Sequence, residues 1–128
     1  MKTFALVIAS LFNLVAFGNA YAHGDHEPTH GGVVGRGDDE IVVEFVMEKG
    51  TLTVYVQDEA GNPLATKNIM GTLTLIAPHR AQEVKLVAAG DNKFVAPGVV
   101  PVRGNRLRAH LTLPGGEQIE SLALFLAE

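Results

Sequence analysis

Apolar and polar side chains alternate with a two-residue period along most of the chain, which is the signature of half-buried β-strands. In 41–47, Ile41, Val43, Phe45 and Met47 fall on one face and Val42, Glu44 and Val46 on the other. Glu48-Lys49-Gly50 reads as a turn. In 51–57, Leu52, Val54 and Val56 oppose Thr51, Thr53, Tyr55 and Gln57, so 41–57 is predicted to be a β-hairpin. Asp58-Glu59-Ala60-Gly61-Asn62-Pro63 is a turn cluster. Alternation resumes in 69–76 through Leu73 and Leu75. Pro78-His79-Arg80 turns the chain, and Val84 and Leu86 then alternate with Glu83 and Lys85. A turn at 89–92 precedes a short strand at 93–96. Pro97, Gly98 and Pro101 interrupt the pattern. Leu107, Ala109, Leu111 and Leu113 form one face opposite Arg106, Arg108, His110 and Thr112. After Pro114-Gly115-Gly116, the run 119–126 reads as a closing strand with bulk on both faces.

No stretch after residue 22 carries a 3.6-residue apolar period. Short strands punctuated by turns roughly every 8–12 residues indicate an all-β protein. The expected fold is an immunoglobulin-like β-sandwich of seven or eight strands. It follows a cleaved signal peptide (1–22) and a flexible His-rich arm (23–32), so the sandwich spans 33–128.

The amino-terminal segment explains that division. Lys2 is followed by a run from Phe4 to Phe17 that is apolar except for Ser10 and Asn13. A comfortable membrane span needs roughly 20 apolar residues, so this run fits the core of a secretory leader better than an uncleaved anchor. Ala20-Tyr21-Ala22 places small residues for cleavage before His23, and Gly18-Asn19-Ala20 offers a second site before Tyr21. A soluble periplasmic product is expected.

Composition narrows the chemistry. Of the 10 Lys and Arg only Lys2 lies in the leader, and all 14 Asp and Glu lie beyond it. The segment 23–128 is therefore mildly acidic, which argues against nucleic acid and anionic membrane surfaces as partners. The chain has no cysteine, which excludes disulfides, thiolate metal sites and cysteine nucleophiles. Ser121 is the only serine beyond the leader and falls inside a strand pattern, against serine hydrolase chemistry. No enzymatic role is expected.

The candidate chemistry lies in His23-Gly24-Asp25-His26-Glu27-Pro28-Thr29-His30-Gly31-Gly32. It holds three of the five histidines of the chain. His23, His26 and His30, with Asp25 and Glu27, offer the imidazole and carboxylate donors that borderline divalent cations prefer. Gly24, Pro28 and the Gly31-Gly32 pair oppose a helix, and the two glycines resemble a hinge. A free arm loses entropy when it closes on an ion. Cleavage before His23 would place an α-amine beside its imidazole, suited to tetragonal Cu(II). Cleavage before Tyr21 would make His23 the third residue, a square-planar arrangement for Cu(II) or Ni(II). Three histidines and a carboxylate would equally serve Zn(II). The competing account is a solvated polar tail with a compositional run of histidines. His79, in a turn, and His110, flanked by Arg108, are expected to be ordinary surface or structural residues.

His30-Gly31-Gly32 before a short apolar strand, Glu44-Phe45-Val46, Gly50-Thr51-Leu52-Thr53-Val54-Tyr55-Val56 and Gly61-Asn62-Pro63-Leu64 together resemble small exported "HGG" β-sandwich proteins. They also resemble the N-terminal sandwich domain of periplasmic adaptor subunits of heavy-metal efflux pumps of the cobalt-zinc-cadmium type. The likeness covers most of 23–128. It implies a periplasmic, sandwich-folded, metal-handling role with His30 in the shared motif, and an efflux complex or other envelope protein as partner. The helical hairpin and lipoyl-like parts of an adaptor have no counterpart in these residues. Small periplasmic copper-resistance sandwiches also begin with His, but complete their Cu(II) site with an Asp-x-His. Here Arg108 stands two positions before His110, so that site is not carried over. The expected function is that of a scavenger, buffer or carrier of Cu(II) or Zn(II). The alternative is a sandwich module that binds another envelope protein through a strand edge without metal.

Overall fold

The computed structural model describes residues 26–38 and 40–126. The signal-peptide assignment, His23 and Asp25 lie outside the described residues. The elements in chain order are β1 (Val33–Val34), β2 (Ile41–Glu48), β3 (Thr51–Asp58), a 3-10 turn (Thr66–Asn68), β4 (Met70–Ala77), β5 (Arg80–Lys85), β6 (Val87–Ala88), β7 (Lys93–Ala96), β8 (Arg106–Thr112) and β9 (Gln118–Leu124). They form two antiparallel sheets, one ordered β1-β2-β3-β7-β6 and the other β5-β4-β8-β9.

Relabelling β2 to β9 as A, B, C, C′, D, E, F and G gives the layers A-B-E-D and G-F-C-C′. That is the connectivity of an immunoglobulin-type sandwich. The seven strands read from alternation are present as β2–β5 and β7–β9, within the expected seven or eight, and β1 and β6 join them as two-residue strands. The strands β1 and β6 escape the sequence pattern because two residues are too few to show a period.

The predicted β2–β3 hairpin is in full register from Ile41↔Asp58 to Glu48↔Thr51. Its loop is Lys49-Gly50, with φ of 52° and 79°. Two successive positive φ values make the tight turn whose twist suits the flanking strands, and the glycine adopts its angle without steric cost.

The inner faces are those read from the alternation. Val43, Phe45, Leu52, Val54, Leu73, Leu75, Leu107 and Leu111 are completely shielded from solvent. Phe94 of β7 and Phe125 beyond β9 complete the core. The closing strand carries bulk on both faces, as expected. Ile119, Ser121 and Ala123 point inward, while Leu122 and Leu124 stand on the outer face, 45% and 47% exposed.

Strand β2 departs from simple alternation in another way. Its outward residues Val42, Glu44 and Val46 are as buried as its inward ones. The segment before β1 lies over Glu44 and Val46. It crosses the outside of β2, pairs as Val33↔Phe45 and Val34↔Glu44, and then passes to the other sheet, where Arg36 bridges Leu122.

Candidate functional site

A carboxylate in the outward row of β2 organises the site. Glu44 stands opposite Tyr55 of β3, and antiparallel pairing puts both side chains on the same face. The covering segment descends onto this pair. The backbone N–H groups of Thr29, His30 and Gly32 all donate to Glu44, at 3.2, 2.9 and 2.8 Å. The Thr29 hydroxyl donates at 3.2 Å, and Nδ1 of His30 lies 2.8 Å from Oε1. A buried carboxylate is tolerated when its lone pairs are filled in this way. Burial by itself would raise the Glu44 carboxyl. The hydrogen bond from His30, those from the Gly32 and His30 amides and the His30 charge outweigh burial, and hold it below the usual carboxylate value.

Neighbouring side chains fix the imidazole as well. The ring of His30 stacks on that of Tyr55, with centroids 3.6 Å apart and planes inclined by 8°. The Tyr55 hydroxyl donates to Glu48 Oε2 at 2.6 Å. The Lys93 ammonium lies 3.8 Å from Glu48 Oε1 and 5.8 Å from the Tyr55 ring centroid, within cation–π range. The hydrogen bond to Glu48 pushes the Tyr55 phenol up to about 12, with burial and the charges of Glu48 and Glu44 adding to it.

The Gly31-Gly32 pair turns out to be a fitted seat where the sequence suggests a hinge. Gly31 has φ of +78°, which an L side chain rarely adopts. A Cβ on Gly32 would lie 2.2 Å from the Phe45 carbonyl oxygen and 2.6 Å from Val46 Cγ2. Only two glycines let the chain turn here and lie flat on β2. The expectation of a flexible arm is corrected for its last four residues: Thr29–Gly32 are held by the five donors converging on Glu44.

The predicted ligands are placed as follows. His30 joins Glu44, a partner that the alternation put on the outer face but did not connect to it. His26 lines the same open groove as His30, about 620 Å³ in volume, together with Met47 and Phe125. Glu27 is exposed and forms no ion pair with a described residue. Among the described residues no three His, Cys, Asp or Glu side chains gather in a metal-binding group. His79 is exposed in the β4–β5 turn, and His110 bonds Gln118 at 3.1 Å across the β8–β9 hairpin.

The chain has no match among protein-family models, curated proteins or solved structures. Function is therefore read from the chemistry of the site. A carboxylate only accepts hydrogen bonds, so Nδ1 of His30 carries a proton. In the neutral ring Nε2 then keeps its lone pair. Among the described residues Nε2 has no hydrogen-bond partner, and the His30 side chain is 31% exposed. The arrangement leaves one oriented imidazole nitrogen without a partner among the described residues, at the foot of the histidine-rich segment.

Proposed function

We propose that this chain is a periplasmic binding protein for a divalent metal ion, Cu(II) or Zn(II), which it scavenges, buffers or carries in metal resistance or efflux. The observation that carries the reading is the Glu44–His30 pair. Metal-ligating histidines almost always donate their second ring N–H to a carboxylate or carbonyl, which sets the tautomer and raises ligand basicity. His30 has that partner, and Tyr55 holds its ring in place. His30 is the anchored ligand, and His23, Asp25, His26 and Glu27 close on the ion from the preceding residues. His26 already lines the same groove. Part of the ordering cost expected for a free arm is met in advance, because the backbone is seated from Thr29 onward.

The function proposed is binding, without a catalytic step. Ser121, the one hydroxyl nucleophile candidate named from sequence, is 3% exposed and inward-facing.

Titration calorimetry with Cu(II) and with Zn(II) tests the proposal on the chain beginning at His23. Replacing His23, His26 and His30 together by alanine is expected to abolish binding, and His30→Ala alone to weaken it most among the single changes. Glu44→Gln is expected to weaken binding roughly 10–100-fold, the usual cost of losing the partner of a ligating histidine. A triple variant that binds as tightly as the original chain refutes the proposal.

A further inference from the structure

The outer face of the four-stranded sheet lies on the far side of the sandwich from His30, and nothing in the metal reading uses it. Its rows can be read from the register. Arg108 of β8 stands between Thr74 of β4 and Leu122 of β9. Leu122 is in turn bridged by Arg36 on its other side. The adjacent row runs Ile76, Arg106, Leu124. Residues directly opposite in antiparallel pairs point to the same face, with Cβ atoms roughly 4.5–5.5 Å apart. Three arginines thus share a face with two leucines that are each nearly half exposed, Arg36 and Arg108 on either side of Leu122 and Arg106 beside Leu124.

The arginines come from two stretches distant in sequence, Arg36 and β8, and the two on β8 are separated by the inward Leu107. For that reason the chain shows no basic block. Arg36, Arg106 and Arg108 are all exposed, and none makes an ion pair or side-chain hydrogen bond with a described residue. Among the described residues the acids in these rows are Glu83, in the row of Thr74, Arg108 and Leu122, and Glu120, beside His110. Neither is within ion-pair distance of an arginine. In the rows of this face Arg36, Arg106, Arg108 and Lys85 outnumber the described acids Glu83 and Glu120, a local reversal of sign in a chain of net charge −4.

We propose that this face docks an acidic, leucine-bearing segment of another protein. Several features select that occupant. Arg presents a planar fork that bonds carboxylates in pairs, and the basic side chains flanking the two leucines are all Arg. Arg is enriched at interface hot spots, and aliphatic side chains between the charges supply the desolvated centre. A second copy docked through the same face would set arginine against arginine. A lipid surface would call for the Trp and Tyr that anchor proteins at membrane interfaces, and the face has neither.

The test uses the full chain and three probes. These are a short soluble peptide alternating Glu and Leu, its counterpart with Gln for Glu, and vesicles of phosphatidylglycerol. The expected result is saturable binding of the Glu/Leu peptide that weakens as salt rises. Arg106→Gln with Arg108→Gln should weaken it roughly tenfold or more, given paired charge-assisted bonds. Leu122→Ser with Leu124→Ser should weaken it independently. All four residues are exposed, so the sandwich should stay folded, and the Zn(II) affinity of each variant should be unchanged. The proposal is overturned if the Glu/Leu peptide does not bind, if the Gln peptide binds equally well, or if the arginine variant binds like the original. It is also overturned if the vesicles bind the chain and the peptide does not compete. Loss of peptide binding with Zn(II) binding intact, or the reverse, separates this surface from the metal site.

Discussion

Replacing Glu44 by Gln tests the central structural claim, that one carboxylate seats the segment before β1. Gln preserves shape and one acceptor oxygen but removes the charge and turns the second oxygen into a donor. The retained oxygen can serve the Gly32 and His30 amides, now at 2.8 and 2.9 Å from Oε2. The new NH2 group would face the Thr29 amide, 3.2 Å from Oε1, and Nδ1 of His30, 2.8 Å away. The Thr29 amide loses its acceptor; Thr29 is itself exposed, so water takes up part of the loss, which falls at the lower end of the range of about 1–3 kcal/mol for an orphaned donor. His30 can relieve its own clash only by moving its proton to Nε2, which takes the lone pair away from an incoming metal ion. Bonds to a charged acceptor also become bonds to a neutral one, so the total loss is expected to be about 3 kcal/mol. For a domain of this size that corresponds to a fall in Tm of roughly 12 °C or more. Urea unfolding should show a lower midpoint with an unchanged slope. Amide hydrogen exchange should show Thr29, His30 and Gly32 losing protection while the amides of β3 and β8 keep theirs. A loss below about 1 kcal/mol, with those three amides still protected, would refute the seat.

Acid should reproduce part of this effect. The Glu44 carboxyl is held below its ordinary value of 4.5, so its contribution to stability is complete above that value. It is lost as the pH falls through the lower folded value, and exchange of the Gly32 amide should accelerate over that window in the original chain but not in Glu44→Gln. Gly32→Ala should unseat the segment for a steric reason, since its Cβ meets the Phe45 carbonyl at 2.2 Å; protection at Thr29 and His30 should fall while the sandwich keeps its β-rich circular dichroism spectrum. With Tyr21→Phe removing the other tyrosine, ultraviolet titration should place the Tyr55 phenol near 12, and Glu48→Gln should bring it down toward 10. Because that folded value is raised, the associated stability is complete below about 10 and is lost as the pH climbs through 12; a midpoint near 10 in both proteins would contradict the hydrogen bond to Glu48.

Alternation in 41–47, 51–57 and 106–113 was sufficient to establish the hairpin, the inward faces and the sandwich class, because a period of two leaves each strand one way to bury its apolar row. The histidine-rich segment was legible as composition, and the position of His30 next to two glycines was visible in the chain. Its surroundings were not. Glu44 read as one polar residue on an outward face. The one hint was a lone carboxylate among Val42, Val43, Phe45 and Val46, where an unpaired charge would be too costly to bury. Which donors would fill its lone pairs depended on a segment some 14 residues earlier folding back across β2. The same holds for Gly32, whose need to be glycine arises from the Phe45 carbonyl, and for the face around Leu122, which Arg36 and Arg108 flank from opposite sides although 72 positions separate them. Local sequence determines which side of a strand faces the core, since that depends only on spacing. Which distant residues share a face is decided by sheet order and register, and these exist only once the two layers have closed.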